Sequence, residues 1–347
     1  MIEWQRFKGL VELNIFKRIF TDCLGVGNEK ILIIGDYGAS NRVLAPILTN
    51  SYALAARELN LNYSVFLQHS KARGDFADEV LIATLKRLPS NSVIVLNVSN
   101  RIGKLGSLGL SFRKFCSNHH HKFITSSSLG ALSNESLKDV LKTMDVDYKK
   151  MNERGEKIKR VLDSGREVHI TTRVGTDITM DITGAKAIVN SGLYNAVGAG
   201  GNLPAGEVYL PPLDGKVEGR MVVDGSIRLK DKTLLVRNPV TIEVEKGQMT
   251  NISSNYEGNL FKSTLEWAHR MSKRPESIRK IAELGIGINP NAQVVGATII
   301  DEKTQGTVHI ANGSNAWFGG DIKSIVHLDH VIKNATVRVD GRFLRIN

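Results

Sequence analysis

Five side chains in the second half of this chain are of the types that hold metal ions: Glu207, Glu283, His309, His327 and Asp329. Glu207 follows Asn202-Leu-Pro-Ala-Gly, Glu283 lies in Ala282-Glu-Leu-Gly-Ile-Gly, and His309 lies in Thr307-Val-His-Ile-Ala. The last two form His327-Leu-Asp329, a spacing that puts both on one face of a strand, where they can share an ion. Each stands beside Gly, Pro or a short β-prone run that can hold a side chain rigidly. Glu283, flanked by Ala, Leu and Ile, needs a partner for its charge. Two imidazoles and three carboxylates suit borderline divalent ions such as zinc, cobalt or manganese. Three carboxylates carry about −3, so two divalent ions with one bridging hydroxide make the cluster roughly neutral. A single ion leaves buried carboxylate charge uncompensated. The residues therefore predict a metalloenzyme with two divalent ions.

The elements that must position these groups fall into two halves. Residues 1–155 have an α/β rhythm: a helical pattern from Phe7 to Val26, then the short apolar strand Lys30-Ile-Leu-Ile-Ile-Gly35. Helices are predicted over 50–59, 75–88, 111–118 and 134–143, the last capped by Ser133, with strands at 62–67, 92–97 and 122–125. Strands alternating with helices predict a parallel sheet covered on both faces. A charged helix over 148–163 bridges to residues 156–347, where short alternating strands replace this rhythm at 167–172, 177–182, 219–224 and 239–245. Helices over 253–269 and 275–283 interrupt them, the second ending at Glu283. The fold class is an N-terminal α/β domain with a parallel sheet, plus a β-rich α+β C-terminal metal domain.

Bulk properties exclude several classes. No apolar run reaches the ~18 residues of a membrane span, and the start Met-Ile-Glu-Trp-Gln-Arg-Phe-Lys lacks the pattern of a signal peptide. Only Cys23 and Cys116 are present, far apart, so they read as small buried residues in a reducing cytoplasm and not as a disulfide or thiolate site. The net charge of +11 permits an acidic partner. Its basic residues are scattered, without interleaved aromatics, and the expectation is no nucleic acid and no membrane. His119-His120-His121 reads as a solvated loop, and Gly198-Ala-Gly-Gly201 as a turn. Gly35-Asp-Tyr-Gly38 lacks the full dinucleotide fingerprint.

Taken together, Asn202-Leu-Pro-Ala-Gly-Glu-Val-Tyr, Ala282-Glu-Leu-Gly-Ile-Gly, Asp301-Glu-Lys, Gly306-Thr-Val-His-Ile-Ala, Phe318-Gly-Gly and His327-Leu-Asp resemble the M29 family of metallo-aminopeptidases. Gly175-Thr-Asp-Ile and Val337-Arg-Val-Asp-Gly are also similar to it. The resemblance implies that Glu207, Glu283, His309, His327 and Asp329 hold a two-metal centre, in a homodimer that encloses the site. Two features depart from the family. Asn312-Gly-Ser-Asn-Ala-Trp317-Phe318 stands where the aminopeptidases have a tyrosine. The length is also closer to a related branch that opens 2,5-dihydroxypyridine with one iron. That branch uses a histidine with an HxD pair, and a histidine base in its N-terminal domain; Asn97-Val-Ser-Asn-Arg-Ile offers no such histidine.

Two mechanisms compete, with a binding module that has lost its chemistry as a third possibility. The first is an aminopeptidase, a hydrolase that removes N-terminal residues from a peptide or small amide by a metal-activated water, with Glu207 or Glu283 shuttling the proton. The second is a mononuclear iron(II) dioxygenase opening a hydroxylated ring, with His309, His327 and Asp329 as its facial triad.

Overall fold

The computed structural model describes residues 11–39, 41–109 and 111–347. The chain divides into two compact units: residues up to Lys149 with Gly192–Ala205, and Lys150–Ser191 with Gly206–Asn347. It thus re-enters the first unit once after leaving it, a return that a single boundary after residue 155 does not describe.

The first unit is built on a parallel five-stranded sheet in the order Tyr63–Gln68, Ile31–Asp36, Val93–Asn97, Lys122–Ser126 and Gly200–Asn202. The three middle strands are buried at every position, which demands cover on both faces and accounts for the apolar runs Ile31–Ile34 and Val93–Leu96 within them. Helices Leu44–Glu58, Glu79–Arg87 and Phe112–Asn118 alternate with them, as the rhythm predicts. Leu44–Glu58 starts before Asn50 because Leu44, Ala45, Ile47 and Leu48 extend its buried face. The N-terminal helical pattern is realised as Leu13–Arg18 followed by a wider turn over Ile19–Cys23, while Phe7 to Leu10 lie outside the described residues.

Three local expectations change. Ser133 caps no backbone amide, and a 3-10 turn, Asn134–Ser136, precedes the helix Leu137–Met144. His121 is fully buried, its Nδ1 accepting the Ser92 amide at 3.2 Å, so only His119 and His120 of that triplet are solvated. Burial lowers its pKa to about 4. Gly200 pairs with Phe123 in the edge strand, where a plain turn was expected. Cys23 and Cys116 are free and buried, and burial raises both thiols well above their ordinary range. No helix among the described residues is long and apolar enough to cross a membrane.

The second unit carries two seven-stranded antiparallel sheets. One runs Gln248–Ile252, Val240–Glu245, Val217–Val223, Asp177–Asp181, Glu167–Thr171, Thr336–Val339 and Arg342–Leu344. Val240–Glu245, Asp177–Asp181 and Glu167–Thr171 alternate between buried and more open positions, the pattern of a sheet with one face on the core. The other runs Thr233–Leu235, Ser226–Arg228, His327–Ile332, Val308–Gly313, Ile281–Gly287, Glu207–Leu210 and Ile188–Asn190. The helix expected to end at Glu283 is absent. Pro275–Ser277 makes a single 3-10 turn, and Ile281–Gly287 is a strand paired on both sides and buried throughout. A strand buried on both faces shows no alternation, so its apolar spacing imitates a helix.

Candidate metal centre

All five expected ligands stand on four consecutive strands of this second sheet. Side chains alternate faces along a strand, so His309, Ala311 and Gly313 share one face of Val308–Gly313. Across one ladder, His327 stands opposite Gly313 and Asp329 opposite Ala311. Across the other, Glu283 stands opposite Ala311 and Gly285 opposite His309. One strand further, Glu207 faces Gly287. Each metal-binding side chain therefore has a glycine or alanine directly across the ladder, and these small residues open room for it. The opposite face is mostly apolar, with Leu284, Ile286, Val308, Ile310 and Ile332 all fully buried around one hydrogen-bonded polar pair, Asn312 and His330, at 2.8 Å. There the helix Tyr256–Met271 brings Phe261 against His330, ring centroids 4.6 Å apart.

The glycines are steric requirements. A Cβ on Gly285 would lie 1.9 Å from His309 Nε2, so the imidazole occupies the space that any other residue would fill. Gly206, at φ +131°, lets the chain pass Asn289, whose Cβ would lie 2.4 Å from an added Cβ. It sets the turn that presents Glu207.

The polar atoms form one continuous chain of contacts. His309 Nε2 lies 3.6 Å from Glu207 Oε2 and 3.3 Å from Glu283 Oε1. Glu283 Oε2 lies 3.3 Å from His327 Nε2, which is 3.2 Å from Asp329 Oδ1. Glu283, His327 and Asp329 offer ligand atoms within 4.8 Å of one another, a spacing a metal ion can span. His327 Nδ1 is 2.8 Å from the Ser314 carbonyl, and donating there leaves Nε2 free to ligate. His309 lacks such a brace: its buried Nδ1 has no hydrogen-bond partner. The residues thus fit a divalent ion, with Glu283 completing the tightest group alongside the His327-Asp329 pair.

Electrostatics agree. Burial disfavours the His309 cation, but the Glu283 hydrogen bond and the Glu207 charge outweigh it and raise the pKa to about 9. His327 is raised well above its ordinary value, Asp329 outweighing burial. Asp329 and Glu283 are both lowered, since neighbouring imidazoles outweigh burial. Without metal, protons on the imidazoles do the neutralising.

Several members of the cluster went unassigned from sequence. Lys303, fully buried, sets Nζ 2.5 Å from Glu207 Oε1 and 2.6 Å from Glu302 Oε1. Asn190 donates to Glu207 Oε1 at 2.8 Å. Glu302 is raised to about 8, chiefly by burial. The run Asp301-Glu-Lys was visible as a motif, but nothing in the sequence aimed it at the ligands. Trp317, 59% exposed, sets its ring 4.7 Å from that of His327 at 70°, and Phe318 packs edge-on against Tyr209.

Comparison with known proteins bears on what this centre does. The profile of the NicX family, described as 2,5-dihydroxypyridine 5,6-dioxygenase, matches residues 121–345. A 2,5-dihydroxypyridine 5,6-dioxygenase of Pseudomonas putida is 25% identical over 192 residues, 52% of this chain and 53% of that protein. The chain thus spans about half the length of the curated relative it matches. The structure of the 2,5-dihydroxypyridine dioxygenase from Pseudomonas putida superposes with a TM-score of 0.74 at 17% identity, covering 96% of this chain and 95% of that one. Wild-type AmpT from Thermus thermophilus superposes at 0.64 and 14% identity, over 98% and 100%. At such identities both likenesses speak for the fold alone. They agree with an α/β domain on a parallel sheet joined to a β-rich one. The expectation of a metallo-aminopeptidase, with its hydrolase and metalloprotease character, is corrected: the family profile and the curated relative both carry a dioxygenase description. The physical reason lies in the residues themselves, since oxygen and nitrogen donors of this kind serve both chemistries.

Two outcomes follow for the centre. Gly285→Ala, by displacing the His309 ring, is expected to weaken binding of a divalent ion by at least tenfold while the protein stays folded; calorimetric titration measures it. Metal affinity is also expected to fall as the pH drops, because the ion must displace the proton from His327, whose pKa is raised well above its ordinary value. The metal-free protein carries the opposite dependence. Its raised imidazole pKa values give stability that is complete below the unfolded histidine value of about 6.5 and is lost as the pH rises through about 9. Thermal melts with and without metal across pH 6–10 read both.

Proposed function

We propose, from the premise that this chain belongs to the NicX family, that it is a metal-dependent dioxygenase opening a hydroxylated aromatic ring of the 2,5-dihydroxypyridine class. The single observation that carries the reading is the cluster of Glu283, His327 and Asp329 on one sheet face, with an exposed Trp317 ring against His327. Glu283, His327 and Asp329 would hold one iron(II) ion. Iron(II) bound there supplies the one-electron redox chemistry that dioxygen needs to react with a closed-shell ring.

The protein's own groups account for the rest. Two carboxylates and one imidazole form an oxygen-rich donor set that suits iron(II) or manganese(II), and three ligands leave positions open. Ser314, through its carbonyl, fixes the His327 ring and its tautomer. His309 Nε2 lies against Glu283 Oε1 and orients that carboxylate. His309 thus supports the centre, where the sequence reading gave it a place in a facial triad. Trp317 offers an aromatic face beside the centre, on which a flat ring can stack. A peptide backbone gains little from such a face.

A charge argument favours one ion over two. Glu207, Glu283 and Asp329 carry about −3, while Lys303 supplies +1 and one divalent ion +2. Burial raises the pKa of Glu302, which lessens the negative charge it adds. With His309 neutral in the loaded site, Lys303 and a single ion balance the three carboxylates.

The direct test is dioxygen uptake by iron(II)-loaded protein given 2,5-dihydroxypyridine, followed by loss of the ring absorbance. Stoichiometric uptake is expected with iron(II); release of amino acids from peptides without any uptake would overturn the proposal. Trp317→Ala is expected to raise KM about tenfold with a smaller effect on kcat, and Trp317→Phe to restore most of it, as steady-state kinetics measures.

A further inference from the structure

Lys303 is the most unusual group near the centre. Its side chain is among the largest fully buried ones, and a buried ammonium persists only where it is paired and hydrogen-bonded. Its Nζ reaches Glu207 Oε1 at 2.5 Å and Glu302 Oε1 at 2.6 Å. The backbone around it is fixed on both sides. Asp301 accepts the amides of Val295 at 2.7 Å and Gly296 at 3.1 Å, and the Lys303 carbonyl accepts the Asn289 amide at 2.8 Å. The ammonium is therefore delivered to Glu207 by a braced turn and is no wandering surface side chain.

We propose that the Lys303 ammonium is the built-in second cation of this centre, held by Glu207 and Glu302, and that it limits the chain to one divalent ion. The inference rests on the reading that Glu283, His327 and Asp329 hold that one ion. Glu207 has one oxygen on Lys303 and Asn190 and the other toward His309, so it serves as a counter-charge and positioning residue. A divalent ion bound to the same carboxylate would sit within a few ångströms of the ammonium. At that range two cations repel strongly in a water-poor site. Removing the ammonium turns the same surroundings into a second site: Glu207, Glu302 and His309 then present two carboxylates and an imidazole with no cation among them.

The test titrates Mn2+ alone into the intact chain and its variants, counting bound ions by elemental analysis and reading spin coupling by electron paramagnetic resonance. The wild type is expected to bind about one ion per chain as an uncoupled spin, and Lys303→Met about two as an exchange-coupled pair. Lys303→Arg, which keeps the charge, stays at one. If Lys303→Met folds only when Mn2+ is supplied, as a thermal melt reveals, the ion has replaced the ammonium and the proposal stands. A folded Lys303→Met that still binds one ion overturns it. So does a wild type that takes two ions with similar affinity, whatever the variants do. Failure of the underlying reading looks different: Asp329→Ala would then leave the first ion in place.

Discussion

The structure depends on one electrostatic constraint, the gathering of Glu207, Glu283 and Asp329 around His309 and His327 on a single sheet face, with Glu302 brought beside them from a neighbouring turn. Carboxylates at this depth repel one another and lose their hydration, so positive charge must be supplied within a few ångströms. The chain supplies part of it as Lys303 and leaves the remainder to an ion. The raised imidazoles and lowered carboxylates of the metal-free site express the same demand, met there by protons. A site of this kind is organised by its charges before any substrate arrives.

The sheet makes that gathering affordable in space. Functional side chains alternate with Gly285, Gly287, Ala311 and Gly313 across the ladders, and the reverse face is a dense, largely apolar layer. Side chains on central strands move little, so donor atoms stay at the separations an ion needs. Trp317 and Phe318 come from the turn after Val308–Gly313 and set an aromatic surface beside the rigid donors. In the proposed reaction, rigid donors fix the ion and the aromatic turn receives the ring.

Much of this was legible in the sequence, for identifiable reasons. The apolar run in Lys30-Ile-Leu-Ile-Ile-Gly35 announces a buried parallel strand, and His327-Leu-Asp329 announces two donors on one strand face. The five donors were named from residue type and from flanking Gly, Pro and β-prone residues, and the structure brings them into contact. Other features could not be read. Ile281–Gly287 is buried on both faces, so its periodicity imitated a helix. Lys303 reads as one more basic residue in a chain of net charge +11, and only folding turns it toward Glu207. With the lysine left out, three carboxylates called for two metals, and two metals called for a hydrolase.

The deciding quantity is how many ions the sheet face holds and where. Anomalous diffraction from crystals grown with iron(II) under exclusion of oxygen measures this directly. The account predicts one strong peak about 2.0–2.3 Å from His327 Nε2 and from the Glu283 and Asp329 carboxylates, with Lys303 still on Glu207. Two peaks of similar height, one of them bound to Glu207 with Lys303 displaced, would contradict it.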